Sequence, residues 1–257
     1  MKHEIAMDLL SAATYGTLTT TELIDATHRS PTTVVRYLGQ LERCGWVKRI
    51  PAERLGVGRP PVLRVPTDAG LAYLRQSELA WFRSLAGNGV RILWGPVRSL
   101  AFWGIPFVGR PDVFTNAAID ARPFPLVLER HALFYEDARE TDEGRFPSLE
   151  SLVAWAAQSG DPRFAAAAVV LLRDRSVDRE RLAGRAAGMG ARNRVGFLAS
   201  LAGRSLGLAG GRPRERMLPA GVSVEPETEA LARRWRVENP ISAALVEDME
   251  RLYGDAR

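Results

Sequence analysis

Apolar residues recur every three or four positions through the first third of the chain, which is the spacing of amphipathic helices. The pattern predicts a helix over 2–14 and a second one from the threonines at 19–21 to about Arg29. A third helix begins at Pro31, because proline suits the first helical position and the serine before it is a good N-cap. Gly45 is placed to end that helix.

Two short runs of strand-forming residues come next. WVKRI at 46–50 and PVLRV at 61–65 flank a stretch rich in arginine, glycine and proline, which predicts a β-hairpin with a long tip. Thr67 then caps a further helix that carries Leu71 and Leu74. The predicted order is three helices, a hairpin and a helix, which is the order of a winged helix-turn-helix.

These elements also carry a family resemblance. The stretch TTVVRYLGQLERCGWVKR, followed by a GRP-containing hairpin and PTDAGLAYL, resembles the winged-helix transcription regulators, the MarR and PadR types included. The resemblance covers residues 1–86 and implies a DNA-binding domain. In such domains the second helix of the motif lies in the major groove, which here is the helix 31–44, and the wing 51–60 lies in or near the minor groove.

The third helix offers a face for reading DNA. Val34, Leu38 and Leu41 form a narrow apolar stripe that faces the core. On the opposite face, threonine and arginine can reach phosphates or base edges, and a valine can touch a thymine methyl group. The candidate residues of this face are Thr32, Thr33, Val35, Arg36 and Gln40. The alternative is that the threonines only start the helix and the arginine is a solvated charge.

The hairpin adds a second candidate surface. Arg54 and Arg59 lie on its tip, beside glycines that let the backbone approach another molecule closely. A narrow minor groove has an enhanced negative potential that attracts arginine. Lys48, Arg49 and Arg64 on the strands are predicted phosphate contacts, which position a protein without reading sequence. The alternative is a hairpin tip with no DNA role.

The pattern changes after residue 90. Aromatic residues, prolines and short apolar runs over 91–146 predict short strands with one helix near 96–103. Ser148, Asp161 and Asp178 are the N-caps of predicted helices between 148 and 205. LGLAGGRPRER at 206–216 predicts a flexible connection, and a last helix runs from about Ile241 to Tyr253.

The sequence therefore predicts an α+β protein that is mostly α. A winged helix-turn-helix over 1–86 is followed by a mixed α/β and helical effector or partner-binding domain over 91–205. A linker and a C-terminal helical extension fill 206–257.

The distribution of charge supports a nucleic-acid partner more than the total does. The net charge is +5, but only Lys2 and Lys48 are lysines among 35 basic residues, a bias that a GC-rich genome would also produce. The basic excess is concentrated in 28–64 and in 173–216. Arginines of the second stretch either form a second basic face or are simply solvated: Arg185, Arg192, Arg194 and Arg204.

Composition and the absence of known motifs exclude several kinds of site and activity. A single cysteine, Cys44, allows no internal disulfide and fits a reducing cytoplasm. No apolar run approaches the length of a membrane helix. The histidines at 3, 28 and 131 lie far apart, so no zinc-binding pattern exists, and no phosphate-binding or nucleophile-elbow motif occurs. We therefore expect no metal, no cofactor and no enzymatic activity.

The second part of the chain carries another resemblance. RILWGPVRSLAFWGIPFVGRPDVF and the alanine-rich helices after it, over 91–205, resemble the effector portion of AbiE-type antitoxin regulators. That resemblance implies an antitoxin that represses its own operon and opposes a partner nucleotidyltransferase. An active nucleotidyltransferase needs two aspartates one residue apart to hold its metals, and 91–172 contains no D-x-D.

The main functional prediction is a cytoplasmic, sequence-specific transcription regulator that binds double-stranded DNA. Such proteins usually act as homodimers on two half-sites. The C-terminal part is expected to bind a protein partner or a small-molecule effector. The AbiE-like antitoxin and a nucleotidyltransferase-like enzyme remain as alternatives.

Overall fold

The computed structural model describes residues 2–14, 18–51, 61–87, 91–105, 107, 111–117, 124, 126–129 and 131–254. These residues form an α+β fold that is mostly helical, as predicted. The chain divides into two compact units. The first is Met1–Ile92 with Val108–Val113 and Ala117–Val127, and the second is Leu93–Phe107 with Phe114–Asn116 and Leu128–Arg257.

The first unit begins with a winged helix-turn-helix. Its elements in chain order are α1 (His3–Thr14), β1 (Leu18–Thr19), α2 (Thr20–Thr27), α3 (Pro31–Arg43), β2 (Val47–Pro51), β3 (Val62–Pro66) and α4 (Asp68–Gly87). The three strands form an antiparallel sheet in the order β1-β3-β2. The predicted helices and both wing strands are therefore present, each within a few residues of its expected bounds.

Local capping explains where the helices of this unit begin and end. Thr19 and Glu22 form a capping box at the start of α2, and the Ser30 hydroxyl accepts the Thr33 amide at the start of α3. Gly45 has a φ of 71° and ends α3. Its amide donates to Glu42 O, and the next amide, that of Trp46, donates to Leu41 O. This Schellman motif turns the chain into the first wing strand.

The junction between the wing and α4 is closely packed. The Thr67 hydroxyl donates to Gly45 O at 2.6 Å and accepts the Gly70 amide at 3.1 Å. The ring of Tyr73 stacks on that of Trp46, with 3.8 Å between centroids. The base of the wing is thus fixed to α4 by hydrogen bonds and by an aromatic stack.

Short strands and helices follow. They are β4 (Ile92–Trp94), α5 (Pro96–Phe102), β5 (Val113–Thr115), β6 (Leu126–Leu128), α6 (Leu133–Glu136), β7 (Arg139–Thr141) and β8 (Gly144–Phe146). β4, β5 and β6 are hydrogen-bonded in that order, and β7 pairs antiparallel with β8.

The rest of the second unit is a helical bundle. Its elements are α7 (Leu149–Gln158), α8 (Pro162–Asp174), α9 (Arg179–Gly188), α10 (Arg192–Leu201), β9 (Glu215–Arg216), α11 (Pro226–Trp235), β10 (Val237–Glu238) and α12 (Ala243–Gly254). Residues 165–172 of α8 are all buried, because α8 is apolar on every side and packs against α7 and α12. The predicted N-caps Ser148, Asp161 and Asp178 each accept a backbone amide.

Residues 206–257, predicted as a linker and a C-terminal helical extension, belong to the same compact unit as the bundle. Part of 206–216, predicted as a flexible connection, is the strand β9, which pairs in parallel with β10. The helix α11 was not predicted, although Pro226 stands at its first position. The domain boundaries at 86–91 and 205–206 stay predictions.

Candidate nucleic-acid interface

The core side of α3 is the predicted apolar stripe. Val34 and Leu41 are completely buried and Leu38 is nearly so. Tyr37, which the periodicity did not single out, is buried beside them. This packing fixes the rotation of α3 and so decides which of its side chains face water.

The opposite side of α3 exposes three of the five predicted reading residues. Val35 is 58% exposed, and Thr32 and Arg36 are exposed on either side of it. The guanidinium of Arg36 lies 5.1 Å from the ring centroid of Tyr37, which supports it without removing it from solvent. A branched apolar side chain beside an arginine and a threonine presents the groups that read base edges.

The other two residues of that face are only half-exposed. Thr33 Oγ1 accepts a hydrogen bond from the Ser30 hydroxyl at 2.9 Å, so it takes part in starting the helix. Gln40 lies at the edge of the face, with its Oε1 covered by protein. The exposed part of the predicted reading face is thus centred on the first half of α3, which is the half that approaches bases in helix-turn-helix proteins.

On the wing strands, the carboxylate of Glu42 pairs with two of the arginines that are predicted to contact phosphates. Arg49 Nε and Nη2 donate to the two oxygens of Glu42, at 2.8 and 2.6 Å. Arg64 Nε lies 2.8 Å from Glu42 Oε1, and its side chain is only 11% exposed. Lys48, in contrast, is exposed on β2. Arg49 remains 62% exposed and therefore keeps a surface toward solvent.

Glu42, the partner of two arginines of the candidate interface, is a residue that the sequence did not reveal. A hydrogen bond from Arg49 holds the pKa of its carboxyl below the ordinary value, with the charge of Arg64 adding to the effect and partial burial opposing it. The same hydrogen bond raises the pKa of Arg49. Glu42 stands seven residues before Arg49, across the helix end, so helical periodicity carries no sign of this pairing.

Arg29, in the turn before α3, has an internal partner as well. Its Nη2 donates to the buried carboxylate of Asp8 at 2.6 Å and to Glu4 at 3.1 Å. The hydrogen bond to Asp8 raises the pKa of Arg29 above its usual range. This contact ties the turn between α2 and α3 to α1. Arg54 and Arg59, the arginines predicted at the wing tip, lie outside the described residues.

The second basic stretch does not form one face. Arg185 is buried and pairs with Asp137 and Glu136. The side chain of Arg194 is 12% exposed and pairs with Glu215. Arg192 and Arg204 are exposed. Two of the four arginines therefore stabilise the second unit instead of presenting charge to a partner.

Neither a metal site nor a membrane span has support among the described residues. No group of three or more His, Cys, Asp and Glu side chains in that part of the chain is arranged to hold a metal ion. Each helix in the same part of the chain is too short or too polar to span a bilayer.

Three helices and a wing together define a winged helix-turn-helix DNA-binding domain of the kind found in transcription regulators. Its α3, the second helix of the helix-turn-helix, exposes an arginine. Residues 5–51 match the family model of the IclR helix-turn-helix domain. That match covers α1 to β2 and supports a DNA-binding transcriptional regulator. No protein of curated function and no solved structure matches the chain. The resemblance to the MarR and PadR types and to AbiE-type antitoxins stays a prediction.

Proposed function

We propose that the protein is a cytoplasmic transcription regulator that binds double-stranded DNA sequence-specifically, as a homodimer. α3 enters the major groove, and the wing 51–60 lies in or beside the minor groove. One observation carries the proposal. Val35, at 58% exposure, lies between the exposed Thr32 and Arg36 on the first half of the second helix of the motif. An apolar side chain exposed to water at that place can pack against a thymine methyl group in the major groove.

The residues have separate roles in this proposal. Arg36 donates to a guanine edge and Thr32 reaches a base edge or phosphate at the start of α3. Lys48 and the exposed part of Arg49 contact phosphates and fix the register of the protein on the duplex. Arg54 and Arg59, assigned from the sequence alone, supply the minor-groove contact.

Selection from a random-sequence duplex pool, followed by fluorescence anisotropy, tests the proposal. The assay uses the full chain at physiological salt with excess scrambled duplex, and DNA upstream of its own gene is the first candidate site. We expect a selected site to bind with a Kd of roughly 10 nM or tighter in the presence of competitor.

Two substitutions locate the reading surface. Arg36→Ala should weaken the selected site about 10- to 100-fold, because one bidentate base contact contributes about 1–3 kcal/mol of discrimination. Arg75→Ala, at an exposed arginine of α4, is the matched control and should change affinity little. A pool with no enriched sequence, or equal weakening in both variants, would mean that the domain binds DNA only through its net charge.

A further inference from the structure

The second unit contains an open cavity walled by arginines. Its volume is about 730 Å³, and it is lined by Arg212, Arg214, Arg233, Arg236, Val237 and Glu238. Cavities that hold small molecules have volumes of about 300–1,000 Å³. Four arginines and one glutamate line this wall, so the cavity carries a concentrated positive charge.

The arginines come from two segments that are distant in sequence. Arg212 and Arg214 precede β9, while Arg233 and Arg236 stand at the end of α11, just before β10. Parallel pairing of β9 with β10 brings the segments together, with the Glu215 amide donating to Arg236 O at 3.0 Å. The cavity is therefore a product of the fold and not of a run of arginines on one helix.

The first segment is held in place on α10. Asn193, completely buried, donates to Pro213 O at 2.7 Å and accepts the Gly211 amide at 2.5 Å. The carboxylate of Glu215 accepts the amides of Asn193 and Arg194, at 3.0 and 3.1 Å, where α10 begins. Arg212 and Arg214 thus project from a backbone that is fixed on both sides.

The second segment is held on the same helix. Trp235 packs against Gly196 so closely that a Cβ at that glycine would lie 2.2 Å from the indole ring. The indole Nε1 donates to Ser200 Oγ at 2.8 Å. Because α10 holds both segments, the arginine backbones are placed before any ligand arrives, which reduces the entropy cost of binding.

Arg236 joins the two segments directly. It follows α11 with a φ of 56°, a left-handed conformation that glycine or asparagine usually fills at the end of a helix. Its Nη1 donates to Arg212 O at 2.7 Å. A bulky residue at this backbone position is uncommon, and here its side chain forms part of the cavity wall.

The ion pairs of the wall are weak enough for a ligand to replace. Arg214 lies 3.5 Å from Glu238 with its side chain 78% exposed, and Arg233 lies 3.8 Å from Glu229 with its side chain 71% exposed. Exposed pairs of this length contribute little, since water and salt screen them. A ligand with several negative charges can therefore engage both guanidinium groups.

We propose that this cavity binds a small molecule carrying adjacent phosphoryl groups, with a nucleoside diphosphate as the simplest type. The planar fork of arginine fits phosphate oxygens in pairs, and several guanidinium groups around one cavity fit a diphosphate better than a single carboxylate. A concave cavity favours a small molecule over the extended backbone of a duplex. The proposal stands independently of DNA binding by the winged helix, because all the residues that carry it lie in the second unit.

Isothermal titration calorimetry of the full chain without DNA tests this site, with inorganic pyrophosphate and ADP as probes at about 0.15 M salt, where long-range attraction is screened. We expect saturable binding of one ligand per chain. Arg214→Gln and Arg233→Gln should each weaken binding about tenfold or more, because each removes a charge-assisted hydrogen bond. Arg234→Gln is the matched control. Arg234 is an exposed neighbour of Arg233 that lines a different cavity, and its substitution removes the same charge from the same helix end.

Three results would overturn the proposal. The first is absence of saturable binding by either probe in a chain whose circular dichroism shows it folded. The second is equal weakening by Arg233→Gln and Arg234→Gln, which would reflect net charge alone. The third is that Arg214→Gln and Arg233→Gln bind duplex DNA more weakly but bind both probes as tightly as the wild type. That result would assign these arginines to nucleic-acid phosphates.

Discussion

Glu42, near the end of α3, accepts two hydrogen bonds from the guanidinium of Arg49 on β2. Arg64 stands directly opposite Arg49 on β3, and it too lies against Glu42. Like charges opposite each other on neighbouring strands destabilise a sheet. Glu42 therefore compensates both arginines and links the base of the wing to the helix proposed to read DNA.

This link predicts that Glu42→Gln increases non-specific DNA binding and reduces specificity. The substitution removes a negative charge near the phosphates and frees Arg64 to contact them beside Arg49. The slope of log affinity against log salt should become steeper by up to about one, since each added phosphate contact contributes about 0.9. Anisotropy on selected and scrambled duplexes over a salt series measures both effects. Asp25→Asn, the same charge change at an exposed position of α2, should leave the slope unchanged, and an unchanged slope in Glu42→Gln would disprove the link.

The same carboxylate predicts a pH dependence of stability. The pKa of Glu42 in the folded chain is lowered from 4.5, so its ionised form stabilises the fold at pH values above that. The contribution disappears as the pH falls through the lowered pKa. Urea unfolding of the wild type and Glu42→Gln should therefore differ at pH 7 and converge once the pH has fallen below the lowered pKa. A difference that persists unchanged in acid would show that the carboxylate charge is not its source.

The winged helix could be predicted from sequence because its signals are local. Ser30, Pro31 and Gly45 set the limits of α3 within the segment itself, and the stripe of Val34, Leu38 and Leu41 sets its rotation. The exposure of Thr32, Val35 and Arg36 then follows from geometry. The fold class and the recognition face thus rest on interactions between residues a few positions apart.

The ionic contacts could not be predicted in this way. Arg185, Arg194 and Arg29 resemble solvated surface charges in the sequence, yet each pairs with a carboxylate 20 or more positions away. Such pairing depends on tertiary packing, which periodicity does not report. The convergence of Arg212 and Arg236 has the same origin, since it depends on the pairing of two-residue strands.

The substitution Gly39→Ala should raise the stability of the protein and at the same time weaken its DNA binding. This glycine lies within α3, and a Cβ there would meet no atom within 4 Å among the described residues. Alanine is favoured over glycine in a helix by about 0.8–1 kcal/mol, so Gly39→Ala should raise the melting temperature. The added methyl group would stand on the DNA-facing side, one turn after Val35, and should weaken binding to the selected site.

Gly184→Ala is the matched control for that experiment. Gly184 is exposed in α9, in the second unit, and a Cβ there also meets open space. We expect it to stabilise the protein by a similar amount and to leave DNA affinity unchanged. Equal DNA affinity for Gly39→Ala and the wild type would place the duplex away from this part of α3.

Gly70 predicts the opposite effect on stability. A Cβ at Gly70 would lie 2.1 Å from the carbonyl oxygen of Trp46, a backbone atom held by the Thr67 amide. Gly70→Ala must therefore displace α4 from the base of the wing, at a cost of about 1–3 kcal/mol or more. Thermal unfolding of the variant should show the loss, and DNA binding should weaken as the wing shifts. An unchanged melting temperature would mean that α4 and the wing are not packed as closely as described.

Substitution of Asn193 tests how far ligand binding by the arginine cavity depends on the hydrogen bonds that hold Gly211 and Pro213. Asn193→Ala removes the two part-buried hydrogen bonds that fix Gly211 and Pro213, and each contributes about 0.5–1.5 kcal/mol. Hydrogen exchange should become faster at the Gly211 amide while the amides within α8, buried in the bundle core, stay protected. Because Arg212 and Arg214 would then project from a loosened backbone, pyrophosphate affinity should fall although no arginine has changed. Retained affinity with fast exchange at Gly211 would show that the cavity forms upon ligand binding and is not set in advance by the fold.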